Sequence, residues 1–204
     1  MCVHNTVELD IPEERRLADL FGISVDLTAV RDYCERVMTH FNEGVPDFPL
    51  TEALWIAALV RYARCFTTNR SVRSPLGKKD IRTLPAHLAG VHSFAIELRN
   101  KHIAHSENPL EMNRVGVVVA PPESPALEGI SLSNQNVSFI SGNYAEGMRD
   151  LAATLLTRVE EQIELEEERV LQIARQLPIE QFYAKDTWQI QLPEKQDVSR
   201  RRNR

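Results

Sequence analysis

The chain has 204 residues, a size that suits one domain with a tail, and its net charge of −5 argues against a protein that wraps nucleic acid by whole-surface charge. Any RNA site must therefore be a local basic patch. No segment reaches the roughly 18 consecutive apolar residues of a membrane span, and Met1-Cys2-Val3-His4 opens no basic-then-apolar signal core. Cys2, Cys34 and Cys65 are odd in number and widely spaced, which disfavours a zinc ribbon or a disulfide framework. A cytoplasmic protein without membrane association is the expectation.

Residues 1–25 mix charges with Pro12 and Gly22 and read as an N-terminal extension, with a short helix over Glu13 to Leu20. The first long amphipathic helix is expected after Asp26, where Leu27, Val30, Cys34, Val37, Met38 and Phe41 recur at helical spacing. Gly44, Pro46 and Pro49 end it. Thr51 suits the N-cap of a second helix with Ile56, Leu59, Val60, Ala63 and Phe66 as its apolar stripe, widened by Leu54 and Trp55.

A basic loop follows, in which Arg64, Arg70, Arg73, Lys78 and Lys79 surround Ser74-Pro75-Leu76-Gly77 and are opposed locally only by Asp80. Clustered cations of this kind suit phosphate contacts. The third helix is expected to begin near Asp80 or Thr83. Its seam, Leu84, Leu88, Val91, Ala95, Leu98, His102, His105, alternates steps of four and three, which places both histidines on a packed face.

After Pro109 the period changes. Val115, Val117 and Val119 alternate, and Ile130-Ser131-Leu132 and Val137-Ser138-Phe139 follow, so two or three short strands form a β-insertion over about 112–141. Asn143 suits the cap of a final long helix running to about Leu177, with Met148, Leu151, Leu155, Val159, Ile163, Val170, Ile173 and Leu177 inward and Glu160 to Glu168 solvated. The chain from Pro178 carries Phe182, Tyr183 and Trp188 and closes on terminal arginines, an end expected to fray. The expectation is an all-α antiparallel four-helix bundle over 26–181 with a small β-insertion before the last long helix, and a tail over 182–204.

Leu98-Arg99-Asn100-Lys101-His102-Ile103-Ala104-His105 carries the chemistry. Arginine is a permanent cation suited to phosphate oxygens, and histidine as a residue type titrates at about pH 6.5. Arg99-Asn100 followed by His105 resembles the arginine-to-histidine signature of HEPN domains, in particular their AbiU2-like abortive-infection branch. That resemblance implies a HEPN-like bundle and a metal-independent endoribonuclease acting on RNA, a toxin or antiviral effector; an antitoxin or regulatory protein is a candidate partner that the sequence does not identify. In it His105 handles the proton of the ribose 2′-hydroxyl or the leaving oxygen, Arg99 neutralises charge on the phosphorane-like transition state, and Asn100 positions Arg99 or the phosphate. Cleavage leaves a 2′,3′-cyclic phosphate.

His102 is an auxiliary candidate, and Lys101, with the basic loop, a candidate RNA contact. On a regular helix positions 99 and 105 point about 120° apart, so one copy presents the pair poorly and the resemblance implies a homodimer that joins two such helices at one cleft. The alternative is a catalytically inactive dimerisation or binding module of the same fold. In the blander reading His102 and His105 are core or interface histidines and Arg99 pairs with a carboxylate. His102-x-x-His105 also has the spacing of a metal pair, with Glu97 or Glu107 adjacent, but no third and fourth ligands follow at a recognisable spacing. No metal or other cofactor is expected.

Overall fold

The computed structural model describes residues 6–43, 47–66, 73–105, 110–138, 140–188 and 194–199. It is mostly helical with one small two-stranded antiparallel sheet. The long helices α1, Glu14–Asn42, and α5, Gly142–Ala174, pack along one another, α2, Phe48–Arg64, packs on α1, and α4, Ala86–Leu98, on α5. A single apolar core threads these four, with Leu20, Ile23, Leu27, Leu59, Tyr62, Leu88, Leu98, Met148, Leu151 and Leu155 buried in it. No helix among the described residues is long and apolar enough to cross a membrane.

Helix α1 begins at Glu14, well before the expected start after Asp26. Gly22 lowers helix propensity by about 1 kcal/mol relative to alanine, yet Leu20 and Ile23 on either side of it are fully buried, and that burial outweighs the penalty. Gly22 also admits a neighbour. A Cβ there would lie 3.2 Å from Nη1 of Arg73, whose side chain crosses the helix at this point.

The cap of α2 is Asp47, whose Oδ1 accepts from the Leu50 amide at 3.2 Å, with Pro49 in the first turn. Thr51, expected to be the cap, lies inside the helix, where it is buried, donates to the Asp47 carbonyl and pairs with His40 Nδ1. The buried face is consequently Thr51, Trp55, Ala58, Leu59, Tyr62 and Ala63, and the expected stripe residues Ile56 and Val60 are exposed.

The expected third helix is two. A short α3, Lys78–Arg82, is separated from α4 by Pro85, which lacks the amide that a continuing helix requires. Arg158 of α5 secures the joint by donating to the Asp80 and Thr83 carbonyls and to Thr83 Oγ1, thereby satisfying carbonyls left open at the end of α3. At Gly147 a Cβ would meet Val91 Cγ2 at 3.1 Å, so a glycine allows α4 and α5 to approach closely.

The β-insertion is a hairpin, β1 Glu111–Val119 and β2 Leu127–Asn136, with Val115 opposite Leu132 and Val117 opposite Ile130. Ser138 follows β2 without joining the ladder, Val137 donates to the Leu110 carbonyl at the hairpin's foot, and Phe139 lies outside the described residues. Apart from Met112 the hairpin is exposed, and Val115 (74%) and Leu132 (77%) head an uncovered apolar face. The cap of α5 is Ser141 rather than Asn143, its Oγ accepting from the Tyr144 amide.

The C-terminal segment is held up to Trp188. Thr187 bridges Val7, and the Trp188 amide donates to the Thr6 carbonyl at 2.7 Å. The terminal arginines lie outside the described residues.

Candidate functional site

Helix α4 changes pitch at the motif. Arg99–Ile103 form a π-helical turn, closed by the Ala104 amide donating to the Arg99 carbonyl at 2.9 Å, five residues back instead of four. Such wide turns are uncommon and recur at functional sites. The helix stops there, and the seam stops with it. Leu98 is buried, His102 is half-buried, and His105, expected on the packed face, is exposed.

Arg99 is half-buried at the start of the wide turn, and its Nη1 donates to Oδ1 of exposed Asn100 at 2.9 Å. No carboxylate among the described residues pairs with Arg99, in contrast to the ion-paired arginine of the blander reading. Lys101 is exposed and pairs loosely with Glu97 one turn earlier, at 3.5 Å. Arg99, Asn100, Lys101 and His105 thus share one solvent-facing end of the α4 segment, and Arg99 and His105 make no hydrogen bond to each other.

His102 points its chemistry elsewhere. Its Nδ1 is buried without a hydrogen-bond partner among the described residues, and it lines a cavity of about 290 Å³ between α2, the π-turn and the foot of the hairpin. Trp55 of α2 lines the same cavity, and its Nε1 is likewise buried and unpartnered. Glu52, one turn before Trp55, sits at the cavity wall, where its Oε1 accepts from Ser138 Oγ and ties α2 to the end of the hairpin. Sequence reading assigned Trp55 to the core and passed over Glu52; their three-residue spacing on one helix face was the available signal.

The basic loop divides. Asp26, 2% exposed at its side chain, receives three arginines: Arg61 at 3.1 Å, Arg73 at 2.9 Å and Arg64 at 3.6 Å. Arg73 also donates to the Arg64 carbonyl, and Asp19 accepts from the Ser74 amide at 2.8 Å. The charge of Arg73 is committed to binding residues 73–77 onto α1 and α2, so opposition to the patch comes from Asp26 on α1 as well as from Asp80. Lys78 and Lys79 are exposed on α3, and Arg70 lies outside the described residues.

A second cavity of about 440 Å³, between Phe66, Leu76, Ile81 and His92, adjoins an aromatic cluster in which the Tyr62 hydroxyl and His92 Nδ1 lie 2.7 Å apart. Burial holds His92 below the usual histidine range and pushes the Tyr62 phenol up. Burial likewise raises the Cys34 and Cys65 thiols to about 12, which leaves both as packing groups rather than nucleophiles. Among the described residues no three His, Cys, Asp or Glu side chains converge.

No family model, curated protein or solved structure matches the chain.

Proposed function

We propose that the chain is a HEPN-like endoribonuclease that cleaves RNA by attack of a ribose 2′-hydroxyl. The observation that carries the reading is the end of α4: an arginine that no carboxylate among the described residues pairs with, braced by its neighbouring asparagine, on a wide turn that leaves His105 exposed. Arg99 with Asn100 is built to receive a phosphate, since a guanidinium without a carboxylate keeps its forked donors for the incoming anion. His105 takes the proton from the 2′-hydroxyl or supplies one to the leaving oxygen. The O2′–P bond forms as the P–O5′ bond breaks, giving a 2′,3′-cyclic phosphate and a 5′-hydroxyl.

The HEPN-like bundle itself is part of the proposal, and it is supported by the four packed helices and the hairpin inserted before the last. A homodimer belongs to it as well. One copy offers a single Arg99 and a single His105 that do not meet, and a second copy supplies the other half of an acid–base pair. The uncovered apolar hairpin face is surface of the kind that association buries. The same face favours the second reading, a catalytically silent dimerisation module.

Incubation of purified protein with structured and unstructured RNA in EDTA tests the first reading. Wild type is expected to cleave to cyclic-phosphate ends, and Arg99→Ala and His105→Ala are expected not to. Intact RNA with the wild type, or equal cleavage by His105→Ala, leaves the dimerisation module. A strictly monomeric protein by sizing would remove the composite site.

A further inference from the structure

We infer that the cavity between α2, the π-turn and the foot of the hairpin is a base-reading pocket that takes a guanine of the RNA next to the cleaved phosphate; the inference rests on the ribonuclease reading for its source of bases.

The fold buries two polar nitrogens and leaves them unsatisfied among the described residues. Trp55 is 3% exposed, and its indole N–H, a donor only, has no acceptor among the described residues. His102 Nδ1 is in the same condition, and both residues line this one cavity. Buried polar groups are nearly always hydrogen-bonded, because an unmade bond forfeits the hydration that the group had in the unfolded chain. Two such groups on one cavity, from different elements, define a place where a ligand completes the bonding.

The chemistry of the wall selects the ligand. The cavity, at about 290 Å³, lies at the small end of ligand sites, which run from roughly 300 Å³ upward. Ile56, Leu98 and Ile103 supply apolar surface for a flat ring. Trp55 Nε1 and His102 Nδ1 offer two donors when the imidazole proton is on Nδ1, and Glu52, which uses Oε1 for Ser138, retains acceptor capacity on its carboxylate. Guanine matches this set. It presents O6 and N7 as neighbouring acceptors and N1–H and N2–H₂ as neighbouring donors, whereas no other base carries two acceptors on one edge and two donors on the next. Single-stranded RNA is read in this way, through splayed bases held between side chains and hydrogen-bonded on their edges.

Placement ties the pocket to cleavage. His102 lies on the π-turn between Arg99 and His105, so a base seated against it belongs to a nucleotide whose phosphate is within the reach of the same turn. The wide turn separates the two tasks. It directs His102 to the cavity and leaves His105 in solvent.

Calorimetric titration of full-length His105→Ala, which cannot consume its ligand, tests the pocket. The probes are the four nucleoside 3′-monophosphates and two single-stranded RNAs, all-uridine and the same strand with one guanosine. Guanosine 3′-monophosphate and the guanosine-bearing RNA are expected to bind roughly tenfold or more tighter than their uridine counterparts, as loss of a charge-assisted hydrogen bond implies. Adding Glu52→Gln or Trp55→Phe is expected to erase that preference. Glu52→Gln, at a half-buried site, keeps the test open if Trp55→Phe fails to fold. Equal binding of all four nucleotides, no binding of any, a preference for the free nucleotide without one for the RNA, or full guanine preference in Glu52→Gln each overturns the pocket. Guanine preference in a protein whose wild type leaves RNA intact overturns the ribonuclease and keeps the pocket, and cleavage without guanine preference does the reverse.

Discussion

Arg73 and Arg99 carry the same charge into opposite surroundings. Arg73, 14% exposed at its side chain, reaches buried Asp26 at 2.9 Å in company with Arg61 and Arg64, and it passes over Gly22 of α1 on the way. Arg99, half-buried on the π-turn, has a neutral partner, Asn100, and no carboxylate among the described residues. The first arrangement is closed around its carboxylate, because three guanidiniums gather on one buried Asp26, and the reward is a joint between α1, α2 and residues 73–77. The second is open among the described residues and leaves a cation with unused donors on the segment that also carries exposed His105. Stability resides in closed sets of polar groups and function in open ones.

Paired substitutions test this contrast. The largest expected effect is on cleavage. Arg99→Ala and His105→Ala should each lower the rate on a defined RNA by about 10²- to 10⁴-fold, the span of a lost general acid–base group, while urea denaturation shows stability within about 0.5 kcal/mol of wild type. Asp26→Asn should do the reverse. Removal of the carboxylate strands the arginines gathered on it and should cost about 3 kcal/mol in the same denaturation, with cleavage retained while the protein remains folded. If Arg99→Ala is as destabilising as Asp26→Asn, Arg99 belongs to the closed class and the site is misplaced.

Asn100→Ala probes the brace and should reduce cleavage by about tenfold, the loss of one hydrogen bond to a charged group. The smallest effect is at His92, which burial holds below the ordinary histidine value of about 6.5. The unfolded chain takes up the His92 proton as pH falls through about 6.5 and the folded chain only lower, so this contribution to stability is complete above that pH and diminishes below it. Thermal melts between pH 7.5 and pH 5 should show that slope in wild type and a shallower one in His92→Gln.

The elements were legible where periodicity is the physics. The seam Leu84, Leu88, Ala95, Leu98 is buried as read, and the inward row of α5 from Met148 to Val159 is too, because burial on a helix repeats at the spacing that the sequence displays. Local punctuation was less dependable. Gly22 read as part of an extension ahead of the first long helix and lies inside that helix, and Thr51 read as a cap and is interior, since tertiary burial overrides differences of about 1 kcal/mol in local preference. At the motif, Arg99, Asn100 and His105 could be picked out by type and spacing. The exposure of His105 could not, because a π-turn differs from an α-turn by one hydrogen-bond register and leaves no mark on the apolar pattern.

The amphipathic helices, the hairpin's alternation and the presence of an arginine and a histidine on one short segment are written in the chain, because all of them depend on neighbours within a turn or two. Which charges are paired and which polar groups share a cavity is set by the packing of distant segments. Asp26 finds arginines from α2 and from beyond it, and Trp55, His102 and Glu52 reach one cavity from two separate elements. Those meetings depend on how helices pack, and packing is set by buried surface summed over the whole core rather than by residues adjacent in the chain.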